Sequence, residues 1–88
     1  MSKTTAKKKL LSRNNTKQAL QRFLKLRYTM VVRPLSKNEG GGWFAEIPLL
    51  PGCWADGETP DEAITELNTA KRAWMESMLA HRKPIPVP

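Results

Sequence analysis

The sequence predicts an α+β fold in which a helix, three antiparallel strands and a long C-terminal helix follow one another (αβββα). Apolar residues recur at helical spacing before residue 28 and again after residue 59. Between these segments, short runs of β-branched and aromatic residues alternate with Gly- and Pro-rich turns, which is typical of strands. The long helix is therefore expected to pack on one face of a small sheet.

The first helix is predicted over residues 16–26, with Asn15 as a weak cap. Its apolar residues lie at helical spacing and form one stripe: Ala19, Leu20, Phe23 and Leu24. Residues 1–14 hold little apolar surface, so we expect a flexible basic arm there and a single domain over residues 15–88.

Three strands are predicted, over residues 28–33, 43–47 and 53–56. Pro34 is expected to end the first strand because it cannot donate to a ladder. The Gly-rich residues 36–42 favour a hairpin loop, and residues 48–52 contain two prolines that favour a turn. Side chains alternate along a strand, so Trp43, Ala45 and Ile47 share one face and Phe44 points to the other.

The long helix, predicted over residues 60–81, has the clearest signal. Thr59 is an N-cap residue, Pro60 occupies the first helical position, and Glu62 is placed to reach back to the cap. Residues that recur three or four apart are expected to face the sheet: Ala63, Ile64, Leu67, Ala70, Trp74, Met75 and Met78.

The net charge of +7 is unevenly distributed. Nine of the fifteen basic residues lie within residues 1–27, whereas all eight acidic residues follow. This asymmetry predicts a basic arm that contacts nucleic-acid phosphates, or one that only keeps the protein soluble. The residues of this arm are Lys7, Lys8, Lys9, Arg13 and Lys17.

The composition argues against catalysis. The predicted first strand holds no carboxylate, so a metal-dependent nuclease is a weak alternative. Cys53 is the single cysteine and has no His near it in sequence, while His81 falls at a helix end. We expect no enzyme activity, no cofactor and no metal, and no membrane span. A cytoplasmic location suits a chain with one cysteine.

Binding of another macromolecule is the function that the composition favours. One helix covers only one face of a three-stranded sheet, and the open edges of such a sheet invite pairing with another chain. We therefore expect a homodimer or a tetramer. Trp43, Phe44 and Trp54 are the residues that we expect to bind a partner.

Residues 41–63 carry a more specific pattern than a strand and a turn require. Gly-Gly-Trp-Phe-Ala-Glu-Ile-Pro-Leu-Leu-Pro-Gly-Cys is followed by Gly57-Glu58-Thr59 and then by Glu62-Ala63. This pattern resembles the HicB family of antitoxins. Tyr28-Thr29 and Lys83-Pro84-Ile85-Pro86 are also similar to that family, so the resemblance covers about residues 28–86.

The resemblance implies a degraded RNase H-like fold without nuclease activity. It also implies an antitoxin that neutralises a HicA-type toxin, a small mRNA-cleaving protein, by occluding the toxin's surface. Many HicB proteins carry a C-terminal DNA-binding domain, but this sequence ends at Pro88, and we expect no such domain. The alternative is a stand-alone nucleic-acid-binding protein that uses its basic arm.

Overall fold

The computed structural model describes residues 16–88. The predicted arm over residues 1–14 and the predicted cap Asn15 lie outside these residues. Within the described part, residues 16–25 form helix α1. The largest side chains of its apolar stripe are half-buried against the core; these are Leu20, Phe23 and Leu24. The predicted stripe therefore faces the core, as its helical spacing indicates.

The sheet has three antiparallel strands in the order β1-β2-β3, as predicted. The strands are β1 (Val31–Pro34), β2 (Trp43–Glu46) and β3 (Trp54–Gly57). Val31 pairs with Glu46 across β1 and β2, and Glu46 pairs with Trp54 across β2 and β3. The fold class predicted from the sequence is confirmed.

The first strand begins at Val31 rather than at residue 28, which corrects the predicted boundary. Pairing stops there because β2 ends opposite Val31, and the next amide of the chain, that of Ile47, donates instead to the Cys53 carbonyl at 3.1 Å. Pro34 is the last residue of the strand, so the strand ends at this proline as predicted. The sheet accommodates this proline because β1 is an edge strand.

The hairpin loop between β1 and β2 contains a short 3₁₀ helix, Lys37–Glu39, which the sequence did not predict. The Ser36 hydroxyl accepts from the Glu39 amide, and the Glu39 carboxylate accepts from the Ser36 amide at 3.2 Å. Gly40 then closes the turn in the left-handed region, with φ of 105°. This reciprocal capping fixes a loop that composition alone describes only as polar and flexible.

Helix α2 (Pro60–Ala80) begins as predicted and covers one face of the sheet. The Thr59 hydroxyl accepts from the Glu62 amide at 3.1 Å. The Glu62 carboxylate reaches one residue further than predicted, because it accepts from the Glu58 amide at 3.0 Å. The first contact satisfies an amide that a helix N-terminus leaves without an intrahelical partner, and the second ties the residue before the cap to the first turn.

The core lies between α2 and the sheet face that carries Ala45 and Ile47, which are 0% and 1% exposed. From α2, Ala63, Leu67 and Met75 are buried against this face. The remaining predicted stripe residues of α2, such as Trp74 and Met78, are half-buried at its margin. Small residues at positions 45 and 63 let the helix lie close to the sheet.

Gly57 explains how closely α2 approaches β3. A Cβ at Gly57 would lie 2.6 Å from the Ala63 amide nitrogen, which is closer than real contacts allow. Gly42 on the neighbouring strand end is similarly crowded, because its Cβ would lie 2.7 Å from the Gly57 carbonyl oxygen. These glycines therefore set the junction between the hairpin, β3 and the start of α2.

The C-terminal segment folds back over the body. Residues 84–88 follow α2 without regular structure, and Ile85 is buried in the core. The hydroxyl of Tyr28 donates to the Pro86 carbonyl at 2.6 Å. Burial raises the pKa of Tyr28 above its ordinary value. One buried tyrosine thus joins the segment before β1 to the segment after α2.

Candidate functional site

The sheet face opposite α2 is the candidate functional surface, which we call the open face. Residues directly opposite one another on neighbouring strands share a face, and every second residue along a strand returns to it. The register therefore assigns six residues to the open face: Val31, Arg33, Phe44, Glu46, Trp54 and Asp56. None of them is buried, and four are exposed.

Two aromatic rings lie together on this face. The ring centroids of Phe44 and Trp54 are 5.7 Å apart, with an angle of 29° between the ring planes, so the rings are stacked. The two residues are diagonal neighbours, because Trp54 pairs with Glu46 rather than with Phe44. Trp54 is 56% exposed even in this stack. A tryptophan that presents more than half of its surface to water is typical of an interaction site.

A cation extends the stack toward β1. The guanidinium carbon of Arg33 lies 5.0 Å from the centroid of the Phe44 ring, within cation–π distance. The same guanidinium pairs with the Glu39 carboxylate at 3.3 Å. The pKa of Glu39 lies below its ordinary value, chiefly because the Ser36 amide donates to its carboxylate, with smaller contributions from the Ser36 hydroxyl and Arg33. The Glu39 carboxylate therefore lies where it balances the charge of Arg33 beside the ring.

Of the three aromatic residues that the sequence assigned to partner binding, the structure brings together Phe44 and Trp54. Trp43 lies on the opposite face, where it is half-buried and packs against the core. Trp43 is therefore not part of the open face, in agreement with the predicted alternation, since neighbours on one strand point to opposite faces. Its role in partner binding stays a prediction. Trp74 is also structural, because its indole nitrogen donates to the Pro51 carbonyl at 2.8 Å.

Sequence reasoning missed Arg33, Glu46 and Asp56 as members of the surface. The alternation of β2 placed Glu46 beside Phe44, so that signal was present. Arg33 and Asp56 required the cross-strand register, which sets them opposite Phe44 on either side. A sequence does not fix that register until the hairpin loop and its 3₁₀ helix are known.

The predicted basic arm is described in the structure only at Lys17. This residue is exposed on α1, and Arg22 and Lys25 are exposed on the same helix. The other four predicted arm residues, Lys7, Lys8, Lys9 and Arg13, lie outside the described residues. The arm therefore remains a prediction from charge.

The described residues also bear on the requirements of a metal site, a membrane span and a reactive cysteine. Within residues 16–88, no three His, Cys, Asp or Glu side chains gather closely enough to hold a metal ion. Neither helix that the structure describes has the length and apolarity that crossing a bilayer requires. Cys53 is buried, and this burial raises the pKa of its thiol, which disfavours the nucleophilic thiolate.

The fold and the open face together define a small α+β protein with one helix-covered sheet face and one aromatic face that meets solvent. Comparison with known proteins identifies relatives of the chain. A UPF0150 protein of Thermoplasma acidophilum is 36% identical over 61 residues, which cover 69% of this chain and 84% of the relative. A UPF0150 protein of Synechocystis sp. is 39% identical over 61 residues, or 69% of this chain and 80% of that protein.

The chain belongs to the UPF0150 family. A second Synechocystis UPF0150 protein is 38% identical over 52 residues, which cover 59% of this chain and 66% of the relative. UPF0150 proteins are small HicB-like proteins, so the relatives agree with the resemblance to HicB in its coarse form. No family model matches the chain, and no solved structure matches it. The relatives' names state no activity, so family membership alone brings none to this protein.

Proposed function

We propose that this protein is an antitoxin-like binding protein that neutralises a HicA-type, mRNA-cleaving toxin by protein–protein contact. The observation that carries the proposal is the open face, where Trp54 is 56% exposed in a stack with Phe44. Trp, Phe and Arg are enriched at protein interfaces, and Trp and Arg dominate their binding energy. The open face presents all three residue types, on a sheet whose other face is covered by α2.

The resemblance to HicB antitoxins supplies the identity of the partner, and UPF0150 membership supports that resemblance. Binding rather than catalysis agrees with the chemistry of the described residues. The one described cysteine is buried, and His81 is exposed at the end of α2. The proposed action is therefore to occlude a surface of the toxin.

Co-expression tests this function. The chain is expressed untagged with the tagged product of the neighbouring gene, and the purified material is assayed for RNA cleavage. We expect a stable complex that does not cleave RNA. Because Trp54 is proposed to lie at the centre of the contact, Trp54→Ala should weaken the complex by about 30-fold, the effect of losing a typical interface anchor.

Leu49→Ala is the matched control, because Leu49 is an exposed apolar residue (43%) in the turn after β2 rather than on the open face. It should leave the affinity within about threefold of the unmodified protein, as expected for a surface change outside an interface. Toxin that keeps cleaving RNA in the presence of excess protein would refute the proposed function.

We also propose that the protein works as a homodimer or a tetramer. Within residues 16–88, β1 and β3 each have one neighbour in the sheet, so each leaves one edge unpaired. Sedimentation equilibrium should give a mass of two or four chains, and a single chain at all concentrations would contradict this.

Nucleic-acid binding is the second candidate function, favoured by three exposed cations on α1, Lys17, Arg22 and Lys25. Such binding should weaken steeply with salt, because each phosphate contact releases a counterion. Replacing Lys7, Lys8 and Lys9 by Gln in the full chain should reduce the salt dependence. An unchanged dependence on salt would exclude the arm as the binding element.

A further inference from the structure

The open face already holds one guanidinium, and the way it does so indicates what a partner must offer. Arg33 lies over the Phe44 ring at 5.0 Å and is held by the Glu39 carboxylate at 3.3 Å. An aromatic ring and a carboxylate together make this arrangement favourable, because the ring attracts the cation and the carboxylate balances its charge. On the side of the aromatic stack nearest β1, the chain itself therefore supplies the ring, the cation and the carboxylate.

On the side of the stack nearest β3, the Trp54 ring lies beside the carboxylates of Glu46 and Asp56, but no cation of the described residues pairs with them. Glu46 lies directly opposite Trp54, and Asp56 is two residues further along β3 on the same face. The described residues form ion pairs at Arg33–Glu39 and at Arg72–Glu76, and neither Glu46 nor Asp56 pairs with a cation among residues 16–88. The Trp54 ring is the part of the stack most exposed to solvent.

The surface next to Asp56, toward the start of α2, is also negatively charged. Asp56 also lines a cleft between the hairpin loop and the start of α2. The other carboxylates of this cleft are Glu58, Asp61, Glu62 and Glu66, and its lining includes no Lys, Arg or His. Arg33, the cation that the register assigns to the open face, already pairs with Glu39. The carboxylates at and beyond Asp56 therefore favour an incoming segment with positive charge.

We propose that the partner presents a basic segment to the open face, with an Arg side chain against the free side of the Trp54 ring and its guanidinium paired with Glu46, the carboxylate directly opposite Trp54 on β2. This proposal rests on the proposed function and names the chemistry of the partner's contact. Arg suits the position better than Lys, because its planar guanidinium stacks on a ring and pairs with carboxylates at the same time.

Two other kinds of partner fit the surface poorly. An apolar partner would remove Glu46 and Asp56 from water without balancing their charge, which is costly. A nucleic acid would bring phosphates against the same carboxylates and be repelled. A basic protein segment satisfies both the exposed aromatic ring and the unpaired carboxylates.

The first test uses the full chain and a synthetic peptide of alternating Arg and Gly, with an alternating Glu and Gly peptide as the negative probe. Binding is measured by isothermal titration calorimetry. Trp54→Ala and Glu46→Gln should each raise the dissociation constant for the Arg peptide by about 5- to 10-fold, the size of a partly desolvated cation–π or charge contact. The matched control Glu76→Gln should leave it unchanged, because Glu76 is an exposed carboxylate on α2.

Circular dichroism of each variant establishes that it is folded before its affinity is interpreted. Equal binding of the Arg peptide by Trp54→Ala, Glu46→Gln and the unmodified chain would overturn the proposal. So would equal binding of the Arg and Glu peptides.

A competing occupant is the chain's own basic N-terminal segment. Replacing Lys7, Lys8 and Lys9 by Gln in the full chain should leave binding of the Arg peptide unchanged if the surface awaits a partner. Tighter binding by about tenfold, a gain of one charge-assisted contact, would show that this segment occupies the surface and would overturn the assignment to a partner.

The toxin assay separates failure of this inference from failure of the proposed function. If the unmodified chain silences the toxin and Glu46→Gln and Trp54→Ala silence it equally well, the function holds and this contact is wrong. If the chain binds the Arg peptide through Trp54 but does not silence the toxin, the basic-segment contact holds and the proposed function is wrong.

Discussion

The two faces of the sheet are made from alternate residues of the same strands, yet they differ in size, polarity and exposure. The face under α2 carries Ala45 and Ile47, which are almost fully buried. The open face carries Phe44 and Trp54 together with charged residues. The largest side chains of the sheet thus lie mainly outside the core. This arrangement separates the residues that stabilise the fold from those available for binding, and substitutions on the two faces should have different effects.

Leu67→Ala should have the largest effect, because Leu67 is fully buried between α2 and the sheet. We expect the free energy of unfolding to fall by about 2–5 kcal/mol, as for other buried leucines that leave a cavity. Urea denaturation followed by circular dichroism measures the change. Asn68→Ala, an exposed neighbour on the same helix, should change stability by less than about 0.5 kcal/mol. Similar midpoints for the two variants would contradict the assignment of the covered face.

Gly57→Ala should be the next most damaging change, because its Cβ would lie 2.6 Å from the Ala63 amide nitrogen. The helix would have to shift away from β3, at a cost of about 1–3 kcal/mol as in other overpacked cores. Gly41→Asn is the matched control, since nothing lies within 4 Å of that position and Asn tolerates its φ of +73°. If both variants were equally stable in urea, the close approach of α2 to β3 would be in error.

Tyr28→Phe should cost about 0.5–1.5 kcal/mol, the net contribution of one hydrogen bond, because the hydroxyl can no longer donate to Pro86. Burial raises the pKa of Tyr28 in the folded state, so the stabilisation is complete below the ordinary tyrosine pKa of 10.0. It is lost as the pH rises through the folded-state value. The difference in urea midpoint between the two proteins should therefore be constant near neutrality and shrink in strong alkali.

A difference between Tyr28→Phe and the unmodified protein that grew with alkaline pH would contradict this sign. Cys53→Ala removes the other described group whose pKa burial raises, and it serves as a control for alkaline effects that do not involve the tyrosine.

Trp54→Ala should have the smallest effect on stability although it replaces the bulkiest residue type. Trp54 is mostly exposed, and its main contact within the described chain is the stack with Phe44. We expect a loss below about 1 kcal/mol, the range for one aromatic pair. The same variant should lose partner binding. A large loss of stability in urea would place Trp54 in the core and remove the contrast between the two faces.

Much of the fold was predictable, because short-range rules determine it. The cap at Thr59, the proline at position 60 and the helical spacing after it predicted α2 within one residue of its observed end. The first strand was placed too early because β-propensity at Tyr28 does not reveal that β2 has no further residue to pair with it. Tyr28 is instead buried by a long-range contact with the C-terminal segment.

The candidate site was predictable only in part. Alternation along β2 separates Phe44 from Trp43, but it does not say which face α2 covers. Ala45 is an example. Its small size identifies the covered face only once Ala63 of α2 is known to lie in the same core. The pairing of Arg33 with Phe44 depends on a register set by the 3₁₀ turn, which rests on two reciprocal hydrogen bonds between Ser36 and Glu39.

The contact between Tyr28 and Pro86 has a consequence for the order of folding during synthesis. It joins two residues 58 positions apart, so it spans most of the described chain. A ribosome releases the chain from its N-terminus, and the sheet and α2 therefore emerge before the acceptor for the tyrosine hydroxyl does. The hydrogen bond from Tyr28 therefore forms only after Pro86 has been synthesised, which makes it one of the latest contacts of the fold.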